Sequence, residues 1–504
     1  MSTGTLLIRA DASSGMGTGH VMRCLALAQA WQDTGGQAVF AMAESTEAIR
    51  VRLASESCNV GSISSAPASS GDIQQTIGIA IERDCEWIVV DGYQFGEEYQ
   101  RGLKASGAKV LFLDDYGHGQ QYSADIVLNQ SVAASPSFYS NRSEDTRLVL
   151  GPRYALLRRE FSPWRDWKRK IPAVCARLLV SMGGSDEHNV TATAVHALCL
   201  MGAKGLQTTV LVGASNPYAR NLQRQIDRSG QEIEIRTNVC NVGEIMAQAD
   251  VAISAAGTTC WELCLLSLPS LLIDIADNQT AVAVEMHKRQ CAIHVGDRTA
   301  KPQAIAEALN SVCGDAERRG LLSENSRALV DGRGAARVAS ILRGSAILQL
   351  RTAGEEDSRL LWEWANDPEV RAASFSSDPI PWETHVLWFN AKLADSRGTA
   401  GKCRMFIAED EEGLTIGQIR FDRRPDAGWD VGISLSKGMR GRGLASELID
   451  RGVRELNRRD GGSVIHAYVK PGNVTSVKSF ERARFERIGI EQVRGHAAVH
   501  LIYQ

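Results

Sequence analysis

One pattern constrains this chain more than any other. A short apolar run leads into a glycine loop and then an amphipathic stretch, and the whole arrangement occurs twice. TLLIRA (5–10) precedes DASSGMGTGH and then HVMRCLALAQAWQD; ARLLVSMGGSD (176–186) restarts the pattern. Between and after them, QAVFAMA, WIVVDGY, KVLFLDDY and DIVLNQ, then TTVLVGASN, IEIRTNV, VAISAAGTT and SLLIDIADNQ, are apolar runs with polar tips. Strands that alternate with helices must run parallel, buried on both faces, and they deliver their ligand groups at the strand C-terminal ends. The sequence therefore predicts two similar α/β halves, residues 1–160 and 161–342, with a charged junction RREFSPWRDWKRKIPA (158–173) and a cleft suited to a nucleotide-bearing ligand.

A third unit is expected over 347–504. It reads as strand, turn and helix, then a period-2 hairpin CRMFIAEDEEGLTIGQIRFDRR, then strand, basic glycine loop and helix, and a last helix before a final strand. The chain of 504 residues fits about three domains of roughly 150 residues each. A formal net charge of −3 gives no global attraction to nucleic acid or an anionic membrane, so neither is expected as a partner. The 11 cysteines contain no CxxC pair, which points to reduced thiols in a cytoplasmic protein and to no structural metal. No basic leader with an apolar core is present, and no run reaches the ~20 apolar residues of a membrane span.

The opening loop lacks the Lys-Ser/Thr ending of a triphosphate loop. Its Gly17 and Gly19 allow close backbone approach, and a helix starts at once behind them. His20 stands at that helix start, where the positive end of the helix favours a neutral ring able to accept a proton. Two readings stand for it, a general base or a capping and packing residue. Arg23 either neutralises phosphate or lies on the helix surface.

In the second half, Gly184 and Ser185 form another phosphate-type loop. Gly257, Thr258 and Thr259 precede a helix and suit a diphosphate, while Glu262, one turn in, either accepts ribose hydroxyls or is a solvated first-turn glutamate. Asn278 and Gln279 end a strand with amides suited to sugar hydroxyls.

GTGHVMRCLALA, LDDYGH, DIVLNQ, LGPRYALLRREF, SMGGSD and AAGTT…DNQ come in this order. Over about residues 5–340 they resemble the UDP-2,4-diacetamido-2,4,6-trideoxy-β-L-altropyranose hydrolases of pseudaminic acid synthesis, which look like two-domain GT-B glycosyltransferases. The resemblance implies a metal-free, inverting hydrolysis at the anomeric carbon, with His20 as base or water-orienting group. It also implies that Tyr93 lies near the sugar and that Asn278 binds substrate. The product would feed a nonulosonic acid used on flagellin or surface glycans.

In the third unit, Arg440, Gly441, Arg442, Gly443, Leu444 and Ala445 fit R-x-x-G-x-A between a strand and a helix, where backbone N–H groups wrap a pyrophosphate. With Asn473 after a later strand, this resembles the GNAT N-acetyltransferases and implies acetyl-CoA as co-substrate. Asn473 matches the asparagine that positions the pantetheine arm. Phe480 stands where many members carry a tyrosine acid, so the acid is Tyr468, a water, or dispensable. His385, in a W-x-x-H stretch resembling 4-amino-sugar acetyltransferases, and Asp430 are candidate bases; packing and a solvated strand end are their alternatives. Trp382 and Trp388 stack on the uracil, line the sugar pocket or fill core. The fold expected is two Rossmann-like domains in a GT-B-type arrangement followed by a GNAT domain. The joint reading is acetylation of the 4-amine of a UDP-amino-sugar followed by its hydrolysis. A different UDP-diamino-sugar, or one non-catalytic unit, is the alternative.

Overall fold

A computed structural model describes all residues except 1–3, 14–16, 185, 203–204, 214–215, 238, 240, 344–347, 398–400, 411–413, 427, 442–443 and 463. Cα packing divides the chain into Met1–Leu342 and Arg343–Gln504.

The first unit holds two parallel sheets. The first contains β1 (Thr5–Ala10), β2 (Gln37–Met42), β3 (Asn59–Ser62), β4 (Cys85–Asp91), β5 (Lys109–Leu113), β6 (Ile126–Asn129) and β7 (Arg147–Leu150), in the order 3-2-1-4-5-6-7. The second contains β8 (Arg177–Ser181), β9 (Gln207–Val212), β10 (Ile233–Thr237), β11 (Val251–Ala255), β12 (Ser270–Asp274) and β13 (Ile293–Asp297), in the order 10-9-8-11-12-13. In each, the order reverses beside the first strand, which opens a crevice at the strand C-terminal ends. Leu6, Leu7 and Ile8 of β1 and Ile88, Val89 and Val90 of β4 are fully buried because helices cover both faces of a parallel sheet. These are the two doubly wound halves expected from the sequence.

The helix Gly19–Asp33 buries Val21, Cys24, Leu25, Leu27, Ala28 and Trp31. It stops where Thr34 leads into Gly35, whose φ of +88° suits glycine. The helix Gly334–Leu342, placed with the second half by the sequence reading, packs into the core of the first, against Gly19–Asp33. Gly334 permits this approach, since a Cβ there would sit 2.3 Å from the Ala155 carbonyl oxygen. A second core joins Val132, Ala155, Leu157 and Phe161 to Trp261, Leu265 and Met286, so the halves share packed side chains.

The second unit is one sheet of β14 (Gln349–Thr352), β15 (Cys403–Glu409), β16 (Thr415–Arg423), β17 (Trp429–Leu435), β18 (Ile465–Val469), β19 (Glu486–Val493) and β20 (His496–Tyr503), ordered 14-15-16-17-18-20-19. Helices Leu444–Asp460 and Val474–Arg482 cover one face. Ser358–Ala365 and Trp382–Arg397 cover the other. The chain closes in a hairpin rather than the single last strand expected. Its turn carries Arg494 and Gly495, both at positive φ, which suits a tight two-residue connection. β17 and β18 are parallel, but only Trp429↔Ile465 and Asp430↔His466 pair before the strands part.

Candidate functional site

In the first unit the strand ends converge on His20. The ring sits in the first turn of Gly19–Asp33, behind Gly17 at φ +77°. Its Nδ1 lies 2.6 Å from Asp91 Oδ1, at the end of β4. Asp91 is 1% exposed and also accepts from Arg23 through Nε and Nη2, both at 2.7 Å. Burial alone would push the Asp91 carboxyl up. The charges of Arg23 and His20 hold it instead well below the usual carboxylate range. An ionised carboxylate only accepts, so Nδ1 carries a proton, and in the neutral ring Nε2 carries the lone pair. Nε2 has no hydrogen bond to a protein group among the described residues.

Arg23 continues to Asp115, just past β5, through Nη1 at 2.6 Å. Asp115 also accepts from the Tyr93 hydroxyl at 2.6 Å, and Asn278 of the second half donates Nδ2 to that same hydroxyl at 2.6 Å. Burial and the neighbouring Asp115 push the Tyr93 hydroxyl up, so it stays protonated. Its ring meets His20 edge-on, with centroids 4.9 Å apart. His20, Arg23, Tyr93 and Asn278, expected separately, therefore form one cluster. Arg23 is buried rather than a surface helix residue.

Asp91 and Asp115 were not singled out from the sequence. The available signal was the acidic tip shared by WIVVDGY and KVLFLDDY at neighbouring strand ends. His20 also gains more than the helix N-terminus expected from the sequence, because a buried anion fixes its tautomer and a buried arginine balances that anion.

The second-half loops lie against this cluster. A Cβ on Gly184 would be 3.0 Å from Thr18 Oγ1, and one on Gly19 would be 3.9 Å from Thr258 Oγ1. Gly257 faces Gln279, whose Oε1 accepts from the Ile275 amide at 3.1 Å. Thr259 begins the helix Thr259–Leu265. Ser185 lies outside the described residues. Beside it, Asp186 accepts the Val190 and Thr191 amides and ties the glycine loop to the next helix. Glu262 is buried rather than solvated; Arg158 Nη2 lies 2.9 Å from its Oε1.

In the second unit, Asp430 and Tyr468 stand on β17 and β18 where the strands begin to part, joined through Arg424. Arg424 donates to Asp430 Oδ1 at 2.8 Å and to the Tyr468 hydroxyl oxygen at 3.2 Å. The hydroxyl proton has no protein acceptor among the described residues. His385 does not join them. It is 2% exposed, contacts the Ser358 carbonyl through Nε2 at 2.8 Å and stacks between Trp382 and Phe389. Burial lowers its basicity. Trp382 also meets Trp362 edge-on, and Trp388 lies under Arg420.

For coenzyme A, the parting strands supply a slot, Gly441 turns at φ +77°, and Leu444 and Ala445 open the following helix. Arg442 and Gly443 lie outside the described residues. Arg440 is held by Asp367 at 2.9 Å and Glu369 at 2.7 Å. Asn473 caps Val474–Arg482 through its side-chain oxygen, leaving its amide for another acceptor. These residues fit the ligand. Phe480 is buried against Phe485 and offers no proton.

Two family models match parts of the chain. Residues 178–339 match the glycosyltransferase family 28 C-terminal domain, and residues 348–486 match the acetyltransferase (GNAT) domain. The chain thus carries one stretch that matches a glycosyltransferase C-terminal domain and one that matches an acetyltransferase (GNAT) domain.

Among individual proteins, it is 22% identical over 490 residues to the uncharacterized protein MJ1062 of Methanocaldococcus jannaschii, covering 96% of each. It is 24% identical over 286 residues to the UDP-2,4-diacetamido-2,4,6-trideoxy-beta-L-altropyranose hydrolase of Campylobacter jejuni, covering 56% of this chain and 96% of that protein. Among solved structures, MurG of Acinetobacter baumannii aligns at 14% identity with a TM-score of 0.48, over 68% of this chain and 99% of MurG. Among the described residues, no helix is long and apolar enough to cross a membrane.

Proposed function

We propose that the chain is a bifunctional enzyme acting on a UDP-linked amino sugar. Residues 343–504 acetylate the 4-amine of UDP-4-amino-4,6-dideoxy-N-acetyl-β-L-altrosamine from acetyl-CoA. Residues 1–342 then hydrolyse UDP-2,4-diacetamido-2,4,6-trideoxy-β-L-altropyranose, with inversion, to UDP and the free sugar. The observation that carries this reading is the His20–Asp91 pair, with Nε2 free beside loops of a glycosyltransferase-like half. The name of the Campylobacter relative supports the choice of sugar.

In the hydrolytic step, Nε2 takes a proton from water as the water oxygen attacks C1. The C1–O bond breaks, and its electron pair leaves on the UDP β-phosphate. Asp91 stabilises the imidazolium so formed. A positioned base of this kind supplies about 10²–10⁴-fold. Gly184, Ser185, Gly257, Thr258 and Thr259 hold the diphosphate, Glu262 the ribose, and Tyr93, Asn278 and Gln279 border the sugar.

In the acetyl transfer, the neutral amine attacks the thioester carbonyl. Asp430 takes the amine proton through water, and Tyr468 protonates the departing thiolate. Arg440 to Ala445 and Asn473 hold coenzyme A, Arg440 exchanging Asp367 and Glu369 for phosphate. His385, with Nε2 committed to Ser358, shapes the acceptor side together with Trp382.

Mass spectrometry and NMR of the products from synthetic UDP-amino-sugar and acetyl-CoA test both steps. The proposal expects free thiol, UDP and a diacetamido sugar with inverted anomeric configuration. Acetylated UDP-sugar that accumulates uncleaved would refute the hydrolase, and a different accepted sugar would correct the substrate. The absent Phe480 hydroxyl favours one other reading, a unit that binds coenzyme A without turnover. No thiol release above background would establish it.

A further inference from the structure

Glu262 is 9% exposed and sits in the first turn behind Gly257 and Thr258. Burial pushes its carboxyl up, and Arg158 opposes that rise while Glu160 adds to it. Arg158 occupies Oε1 at 2.9 Å, whereas Oε2 has no protein partner among the described residues. A deeply buried acceptor with one oxygen tied and the other free presents a lone pair in a fixed direction.

Arg158 is itself fixed. It donates through Nε and Nη2 to Glu160 Oε1 at 3.1 and 3.0 Å, and its guanidinium lies over the Phe161 ring. Glu160 Oε2 accepts from Arg52 at 2.8 Å, on the helix Glu47–Ser55 of the first half. The chain of charges Arg52–Glu160–Arg158–Glu262 thus runs from the first half, through the junction segment, into the second.

We infer that Arg158 is a positioning residue for nucleotide recognition, aiming the free oxygen of Glu262 at the ribose hydroxyls of a nucleoside diphosphate. The inference rests on the nucleotide-site reading of the second half and adds a residue that contacts no ligand. Its planar fork is what bridges Glu160 and Glu262. A lysine in its place restores the charge but not the two-sided geometry.

The test is calorimetric binding of UDP and 2′-deoxy-UDP to the full chain and to Arg158→Gln and Arg158→Lys. Wild type should bind UDP about tenfold more tightly than the deoxy form, the scale of one hydrogen bond to a charged group. Arg158→Gln should bring the ratio to about 1–2, with Arg158→Lys between the two. Near-UV circular dichroism establishes that each variant is folded; if Arg158→Gln is not, Arg158→Lys decides. A wild-type ratio retained in a folded variant overturns the inference alone; a wild-type ratio near one overturns it together with the assignment of Glu262 to the ribose. Wild type that binds neither nucleotide overturns the nucleotide-site reading and this inference with it.

Discussion

The two halves of the first unit share a topology and differ in what they put at their strand ends. The first half ends its strands in charge: Asp91 and Asp115 flank Arg23 and His20. The second half brings glycines, threonines and amides to the same level, with Glu262 neutralised by Arg158. One fold thus carries a buried cluster of charges on one side and glycines, threonines and amides on the other. The acetyltransferase sheet solves a different problem. Its distinguishing feature is the parting of β17 and β18, which pair only at Trp429↔Ile465 and Asp430↔His466.

That contrast can be broken at its charged end first. Asp91→Asn should lower UDP release about 10²–10³-fold, because the imidazole loses both its tautomer control and its partner, while thiol release stays at the wild-type rate. Steady-state assays of the two products check this. The same substitution should alter acid stability. The folded Asp91 titrates far below its unfolded value of about 3.9. Its contribution is therefore complete above about pH 4 and lost as pH falls toward the folded value. Acid denaturation of wild type should show this loss, and Asp91→Asn should lack it.

Smaller effects follow at the parting strands. Tyr468→Phe should reduce thiol release about tenfold with UDP release from the acetylated substrate unchanged, since only the departing thiolate loses its proton source. A wild-type rate would return that role to water. Least disruptive is Asn278→Ala, which removes the contact to Tyr93 across the halves. It should raise KM for the UDP-sugar several-fold and barely change thiol release, as one neutral hydrogen bond implies.

The succession of strands and helices along the chain, the two glycine loops and a separate third unit could be read from the sequence, because apolar period and glycine position follow directly from backbone geometry. The strand order within each sheet and the parting of β17 and β18 could not. His20, Arg23, Tyr93 and Asn278 could be named, yet not as one cluster, since three of their contacts span 68 to 185 residues. Asp91 and Asp115 were hidden because an aspartate at the tip of an apolar strand reads as a generic strand end. The last hairpin was hidden for another reason. Glu486–Val493 is exposed along almost its whole length and shows no alternation to detect. His385 illustrates the reverse case, a residue whose motif suggests chemistry and whose burial against Trp382 and Phe389 shows packing.

The central claim is that His20, oriented by Asp91, is the base of a hydrolase that operates apart from the acetyltransferase. His20→Asn, supplied with acetylated UDP-sugar in one assay and with amino-sugar and acetyl-CoA in another, tests it most directly. UDP release should fall about 10³-fold with thiol release unchanged. UDP release at the wild-type rate would contradict it and leave His20 a structural residue.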